Sequence, residues 1–143
     1  MPLTQINAID ALELLQKDRN SVLIDVRTNE EFNMVGIANT SSFEGRMILL
    51  PWKTLPAMEE NPEFATDLES ALQKKMGDGH KESRLIFICK SGGRSNQAAS
   101  HAVNLGYKIC YNLISGFEGD LNQKEQRGKL NGWKAENLPW RQS

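Results

Sequence analysis

One cysteine stands directly before a glycine-rich segment and is the best candidate for a nucleophile. Two adjacent glycines leave the backbone uncovered and free to adopt unusual angles, so several N–H groups can converge on one anion. A following helix N-terminus and two flanking cations add positive potential, and all of these features favour a thiolate over a thiol. An ordinary buried cysteine is the alternative, but it leaves the glycines and cations unexplained. The segment reads Cys89, Lys90, Ser91, Gly92, Gly93, Arg94, Ser95.

The size and charge of the chain exclude several classes of protein. We predict one domain, residues 1–143, with one hydrophobic core. Seventeen Lys and Arg residues are interspersed with eighteen Asp and Glu residues, which argues against a nucleic-acid surface or a polybasic membrane patch. The apolar runs are far shorter than the ~20 residues of a membrane helix. The N-terminus has no export-signal pattern, so we expect a cytoplasmic protein with reduced cysteines.

The second cysteine and the two histidines give weaker signals. Cys110 lies within an apolar strand pattern, and we predict that it belongs to the core rather than acting as a resolving thiol. His80 falls in a polar loop and His101 on a helix, and neither has metal-ligand partners at a fixed spacing. We predict that both are structural or solvated, and we expect no metal site.

Three charged residues could be mistaken for catalytic groups. Asp25 and Arg27 follow a strongly buried strand pattern. In such folds these residues more often form buried ion pairs and hydrogen bonds, so we predict a structural role for both. Arg46 lies in a serine-rich loop, and two interpretations stay open for it. Either it helps to receive an anionic donor, or it is merely solvated.

Strands and helices are predicted to alternate along the chain. This pattern is typical of a mostly parallel sheet with helices on both faces and right-handed crossovers. In such sheets a ligand binds beyond the carboxyl ends of the strands, and the segment after Cys89 occupies that position. The predicted strands cover residues 22–24, 47–50, 85–88 and 108–113; the predicted helices start from caps at Asn7 and Thr28, cover 63–76 and 97–105, and include one after Ser115.

The segment from Cys89 to Arg94 resembles the active-site loop of rhodanese-type sulfurtransferases. Asp25-Val26-Arg27 resembles the D-V-R sequence of that family, and Glu31-Phe32 resembles its E-[YF] pair. Further matches occur at G116-F-E-G-D-L, R127-G, G132-W-K and L138-P-W, so the resemblance covers nearly the whole chain. One stretch departs from the family pattern: residues 36–39 lack the usual histidine and proline.

The resemblance implies a rhodanese-like α/β fold and a two-step transfer of sulfur. The Cys89 thiolate would take the outer sulfur of a small donor such as thiosulfate, and the resulting persulfide would pass it to cyanide or a thiol. Cys89 would be the catalytic residue, and residues 90–95 would bind the substrate. No metal or organic cofactor is implied, and a protein that accepts the sulfur is left unspecified.

Two other functions stay open. A non-catalytic rhodanese-like binding module is expected to lack the nucleophile, yet Cys89 is present. A cysteine-dependent phosphatase or arsenate reductase would use a similar loop for a larger oxyanion. Phosphatases of this kind place five residues between cysteine and arginine, whereas four residues separate Cys89 from Arg94. This difference in loop length favours sulfur transfer.

Overall fold

Five parallel strands form the central sheet of the computed structural model, which describes residues 3–142. Their spatial order is β1-β8-β7-β2-β4, so the predicted mostly parallel α/β fold is confirmed. In chain order the elements are β1 (Leu3–Ile6), α1 (Ala8–Lys17), β2 (Ser21–Asp25), α2 (Asn29–Val35), β3 (Ile37–Ala38), β4 (Met47–Leu49), β5 (Lys53–Thr54), β6 (Glu59–Glu60), α3 (Phe64–Met76), β7 (Arg84–Ile88), α4 (Gly93–Asn104), β8 (Ile109–Leu113) and β9 (Trp140–Arg141).

The sheet separates two hydrophobic clusters, one on each face. Helices α3 and α4 cover one face with residues such as Leu68, Leu72 and Ala99. Helix α1 covers the other face with Ala11 and Leu15. All five residues of β2 are buried, as expected for a strand covered on both sides. None of the helices described between residues 3 and 142 is long and apolar enough to cross a membrane.

Local signals in the sequence set the starts of the first two helices. The Asn7 side chain accepts a hydrogen bond from the backbone N–H of Asp10 at the start of α1. At the start of α2, Thr28 and Glu31 form a reciprocal capping box, in which each side chain accepts from the backbone N–H of the other residue. Both predicted caps are therefore confirmed.

The helix predicted after Ser115 is wrong. Residues 115–139 form turns and bends. Gly116, Gly119 and Gly132 adopt φ angles of 61°, 82° and 95°, which a right-handed helix does not allow. The segment instead folds over the α1 face of the sheet, where Phe117 and Trp133 complete that hydrophobic cluster.

Residues 36–46, predicted as a loop, contain a short strand and a 3-10 turn. β3 pairs in antiparallel fashion with β9, which joins this region to the end of the described chain. A separate two-stranded ribbon, β5 and β6, follows β4 and brings residues 55–58 to a turn. Because all strands of the main sheet are parallel, the residues that follow β2 and β7 lie at one edge.

Candidate active site

Cys89 follows the last residue of β7 and begins the loop of residues 89–94, called the ring below. Its Sγ accepts a hydrogen bond from the backbone N–H of Gly92, 3.1 Å away. Gly92 has a φ angle of 107°, a conformation that favours glycine and turns this N–H toward the sulfur. Helix α4 then begins at Gly93, so its N-terminus adjoins the ring and adds positive potential. Cys89 is only 1% exposed.

The hydroxyl of Ser95 is the second polar group at the sulfur. Ser95 Oγ lies 3.2 Å from Cys89 Sγ, 2.5 Å from Asn112 Oδ1 and 3.3 Å from the Gly92 carbonyl oxygen. A hydroxyl donates one hydrogen, so these three acceptors compete for it. Ser95 and Asn112 are both buried, so this competition takes place away from bulk water.

A chain of side-chain amides connects Ser95 with the surface. Asn112 Nδ2 donates to Gln5 Oε1 at 2.7 Å, and Gln5 Nε2 donates to Asn96 Oδ1 at 2.9 Å. Sequence reasoning missed Asn112 and Gln5. The available signal for Asn112 was a single polar amide inside the apolar strand β8, where burial requires hydrogen-bond partners.

Arg94 is held by a carboxylate from α2. Its Nη1 and Nη2 atoms donate to Glu31 Oε1 and Oε2 at 2.6 and 2.9 Å, a bidentate pair. Burial alone would raise the pKa of Glu31, but the hydrogen bonds from Arg94 and Thr28 lower it to about 2. The negative charge of Glu31 also raises the pKa of Arg94, against the opposing effect of burial. Arg94 therefore braces the ring against α2.

Lys90 and Ser91 complete the predicted loop and are partly exposed. Lys90 forms no ion pair with any carboxylate within residues 3–142. It lines a cavity of about 370 Å³ together with Arg94 and residues of α2 and the β5–β6 turn. The unpaired cation of this ring is therefore Lys90.

The turns after β8 fix the other side of the ring. The backbone N–H of Phe117 donates to the Cys89 carbonyl oxygen at 2.8 Å, and that of Glu118 donates to the Lys90 carbonyl oxygen at 3.0 Å. A Cβ on Gly116 would lie 2.4 Å from the Cys89 oxygen, which explains the glycine there. These bonds occupy the carbonyl groups of the ring and orient its backbone.

Asp25 and Arg27 lie at the same sheet edge in a buried ion pair. Arg27 Nη2 donates to Asp25 Oδ2 at 2.7 Å and to the Gly36 carbonyl oxygen at 2.8 Å. The guanidinium also lies 4.3 Å from the centre of the Phe117 ring. Burial raises the pKa of Asp25, and Arg27 opposes this effect. The pair connects β2, the 36–46 segment and the C-terminal turns, in agreement with the structural interpretation.

Arg46 lies at the opposite edge of the sheet from Cys89, so both interpretations offered for it are wrong. It is buried, and it donates to the carbonyl oxygens of Leu15 and Ser21 at 2.6 and 2.5 Å. Ser21 begins β2, whereas Cys89 follows the end of the neighbouring parallel strand. Arg46 therefore joins α1 to β2 rather than receiving a ligand.

The remaining cysteine and histidines lie away from the ring. Cys110 is buried in the sheet, and burial raises its pKa to about 12. His80 Nε2 lies 2.5 Å from Glu69 Oε2, and His101 packs against the Trp52 ring. Across residues 3–142, no three His, Cys, Asp or Glu side chains are grouped so as to hold a metal ion.

Known proteins match this chain over most of its length. The profile of the Rhodanese-like domain matches residues 8–123. The "uncharacterized protein RP600 homolog" of Rickettsia rickettsii is 35% identical over 98% of both chains. The crystal structure of Rv0390 from M. tuberculosis is 34% identical and superposes with a TM-score of 0.84, covering 98% of both chains. Thiosulfate sulfurtransferase GlpE of Coxiella burnetii is 30% identical, covering 80% of this chain and 83% of that protein. The chain belongs to the family of rhodanese-like domain proteins.

Proposed function

We propose that this protein is a sulfurtransferase that carries a sulfane sulfur on Cys89. The observation that carries the proposal is the environment of the sulfur atom. Cys89 Sγ faces the Gly92 N–H and the Ser95 hydroxyl inside a ring that opens a helix. Such donors stabilise a thiolate and equally a persulfide anion. The named activity of the Coxiella relative, thiosulfate sulfurtransferase, agrees with this chemistry.

The proposed reaction has two displacement steps and needs no external oxidant or reductant. The Cys89 thiolate attacks the outer sulfur of thiosulfate, the sulfur–sulfur bond of the donor breaks, and sulfite leaves with the bonding electron pair. Cys89 then carries a persulfide. A nucleophilic acceptor, cyanide or a thiolate, attacks the outer sulfur, and the Cys89 thiolate leaves. We propose that small molecules fill both roles and that the protein works in the cytoplasm, where both free cysteines would stay reduced.

Three features favour sulfur transfer over phosphate-ester cleavage. Cys89 is nearly inaccessible, so the group that it attacks has to be small, and a terminal sulfur is one atom. Arg94, which a phosphatase would use to bind phosphoryl oxygens, already forms a bidentate pair with Glu31. The ring with four intervening residues is also tighter than the ring of the phosphatases that it resembles.

Intact mass measurement tests the proposal directly. Thiosulfate is expected to add the mass of one sulfur atom to the protein, and cyanide is expected to remove it. Cys89→Ser should abolish the adduct and the turnover, because an alcohol is far less nucleophilic at neutral pH. Cys110→Ser is the matched control and should retain both. An adduct that maps to Cys110 would overturn the assignment.

A lengthened ring tests the comparison with phosphatases. We expect the wild-type protein to transfer sulfur and to leave a small aryl phosphate intact. One extra glycine inserted beside Gly92 should widen the ring and abolish sulfur transfer, because the N–H donors no longer reach the sulfur. Wild-type phosphatase turnover that requires Cys89 and equals the sulfur-transfer rate would contradict the proposal.

A further inference from the structure

A cavity of about 370 Å³ lies beside the ring and has no part in the two steps described above. Three elements form its walls: α2, the turn between β5 and β6, and the ring itself through Lys90 and Arg94. This volume is at the lower end of the range for pockets that bind organic molecules. Neither a single sulfur atom nor cyanide needs a cavity of this size.

Apolar side chains form part of the cavity wall. Met34 is 77% exposed, Leu55 is 46% exposed, and Met58 is also exposed. All three line this one cavity, on two different elements. A ligand that covers this exposed apolar surface removes it from water, and that burial favours binding. The wall therefore fits a ligand with an apolar body.

The charged residues of the cavity restrict the charge of that ligand. Arg94 and Glu31 neutralise each other in their bidentate pair, which leaves Lys90 as the cation available to a ligand. Glu30 also lines the cavity and disfavours a ligand with several negative charges. Thiosulfate, a dianion without an apolar part, is therefore a poor match, whereas a monoanion with an apolar body fits.

We propose that this cavity binds the sulfur acceptor, a small organic thiol with an apolar body and a single acidic group. This inference rests on the proposed sulfur transfer. Lys90, the residue after Cys89, and Arg94 both line the cavity, so a bound acceptor lies beside the loop that holds the sulfur. The acceptor binds as a monoanion with its thiol protonated. The thiol then releases its proton to water, the resulting thiolate attacks the outer sulfur, the sulfur–sulfur bond to Cys89 breaks, the Cys89 thiolate leaves, and the acceptor departs as a persulfide.

Two ω-thiols that differ only in length test the apolar wall. Mercaptopropionate and mercaptohexanoate each carry one thiol and one carboxylate, and the longer molecule has three more methylenes. Protein loaded with sulfur on Cys89 is freed of donor and mixed with each thiol, and the half-saturating concentration is measured. With the added methylenes about half buried, we expect the longer thiol to saturate at a concentration about tenfold lower.

Matched substitutions test whether the cavity residues determine binding of the acceptor. Leu55→Ala should raise the half-saturating concentration of mercaptohexanoate about fivefold and leave transfer to cyanide unchanged. Ile9→Ala is the control, since Ile9 is 51% exposed on α1 and far from the cavity walls. Mercaptohexanol, which lacks the carboxylate, should bind more weakly than mercaptohexanoate, and Lys90→Ala should remove that difference. Equal saturation by both ω-thiols, or equal effects of Leu55→Ala on all acceptors, would overturn the inference.

Direct binding separates this inference from the proposed function. The methyl thioether of mercaptohexanoate cannot accept sulfur, so calorimetry of its binding to unloaded protein measures the cavity alone. We expect binding that Leu55→Ala weakens and Ile9→Ala leaves unchanged. Absence of binding refutes the acceptor site even if Cys89 carries sulfur to cyanide. Failure of thiosulfate to modify Cys89, with the thioether still bound, refutes the proposed function instead.

Discussion

The bidentate pair between Arg94 and Glu31 leads to a quantitative prediction for Glu31→Gln. Glutamine at this position still accepts from the Thr28 backbone N–H and preserves the capping box, so the substitution isolates the charge opposite Arg94. The Glu31 pKa falls from 4.5 to about 2 in the folded protein. At 1.36 kcal/mol for each pH unit, that fall corresponds to roughly 3 kcal/mol of stability at neutral pH. Because the Arg94–Glu31 pair is partly exposed to solvent, we expect Glu31→Gln to lower the free energy of unfolding by about 2–3 kcal/mol.

The sign of the pH dependence follows from the direction of the shift. The folded protein holds the proton of Glu31 less tightly than the unfolded chain does. The stabilisation is therefore fully present above pH 4.5 and is lost as the pH falls toward 2. Roughly half or more of it should be gone by pH 3. Because a protonated glutamate resembles glutamine, the wild-type and Glu31→Gln proteins should converge in stability at low pH.

Urea unfolding followed by tryptophan fluorescence measures this difference between pH 3 and pH 7. Glu30→Gln is the matched control, since it removes the same charge from the same helical turn without an arginine partner. We expect Glu30→Gln to lower the free energy of unfolding by only about 0.5 kcal/mol, the contribution of a charge near a helix N-terminus. A difference between wild type and Glu31→Gln that stays constant with pH, or that equals the control, would refute the reasoning.

Two further predictions concern the polar groups around the sulfur. Lys90→Ala should chiefly raise KM for anionic donors about twofold to fivefold, which corresponds to an exposed charge contact of up to about 1 kcal/mol. Arg94→Ala should also lower kcat, because the ring loses its brace. Steady-state kinetics with thiosulfate and cyanide separate the two, and equal effects would contradict them. Asn112→Asp puts a carboxylate where the Asn112 amide oxygen accepts from Ser95, so it competes more strongly for the Ser95 hydrogen and its negative charge opposes a thiolate nearby. Alkylation of Cys89 by iodoacetamide at neutral pH should therefore slow several-fold. An unchanged alkylation rate would contradict a role for Asn112.

Most of the correctly predicted strands and helices were indicated by short-range sequence patterns. The buried strands β2 and β7 are compact apolar runs, and the caps at Asn7 and Thr28 depend on residues three positions apart. Signals of this kind lie within a few residues and do not depend on the rest of the chain. The edge strand β1 has only four residues, with a partly exposed pattern, and was missed for that reason.

Long-range contacts explain what sequence reasoning missed at the site. Arg94 was predicted to bind the substrate, and the sequence did not indicate that its side chain pairs with Glu31, 63 positions away. Asn112 on β8 reaches Ser95 on α4, 17 positions away along the chain. The serine-rich loop left two interpretations for Arg46, a role in receiving a donor or simple solvation, whereas the parallel register buries it at the other end of the strands. Only the assembled sheet brings such partners together.

Contacts from two distant parts of the chain hold the ring in place. The geometry of this small site therefore depends on the folding of both parts. On one side Glu31 fixes Arg94, and on the other the backbone of residues 117–119 occupies the carbonyl groups of Cys89 and Lys90. With the carbonyls of Cys89 and Lys90 engaged, the ring presents the Gly92 N–H to the sulfur without reorganising when negative charge develops there. Under the proposed sulfur transfer, the glycine-rich C-terminal turns would therefore support catalysis through their backbone contacts to the ring. A substitution such as Gly116→Ala, whose new Cβ would collide with the Cys89 oxygen, should therefore impair sulfur transfer by displacing the ring.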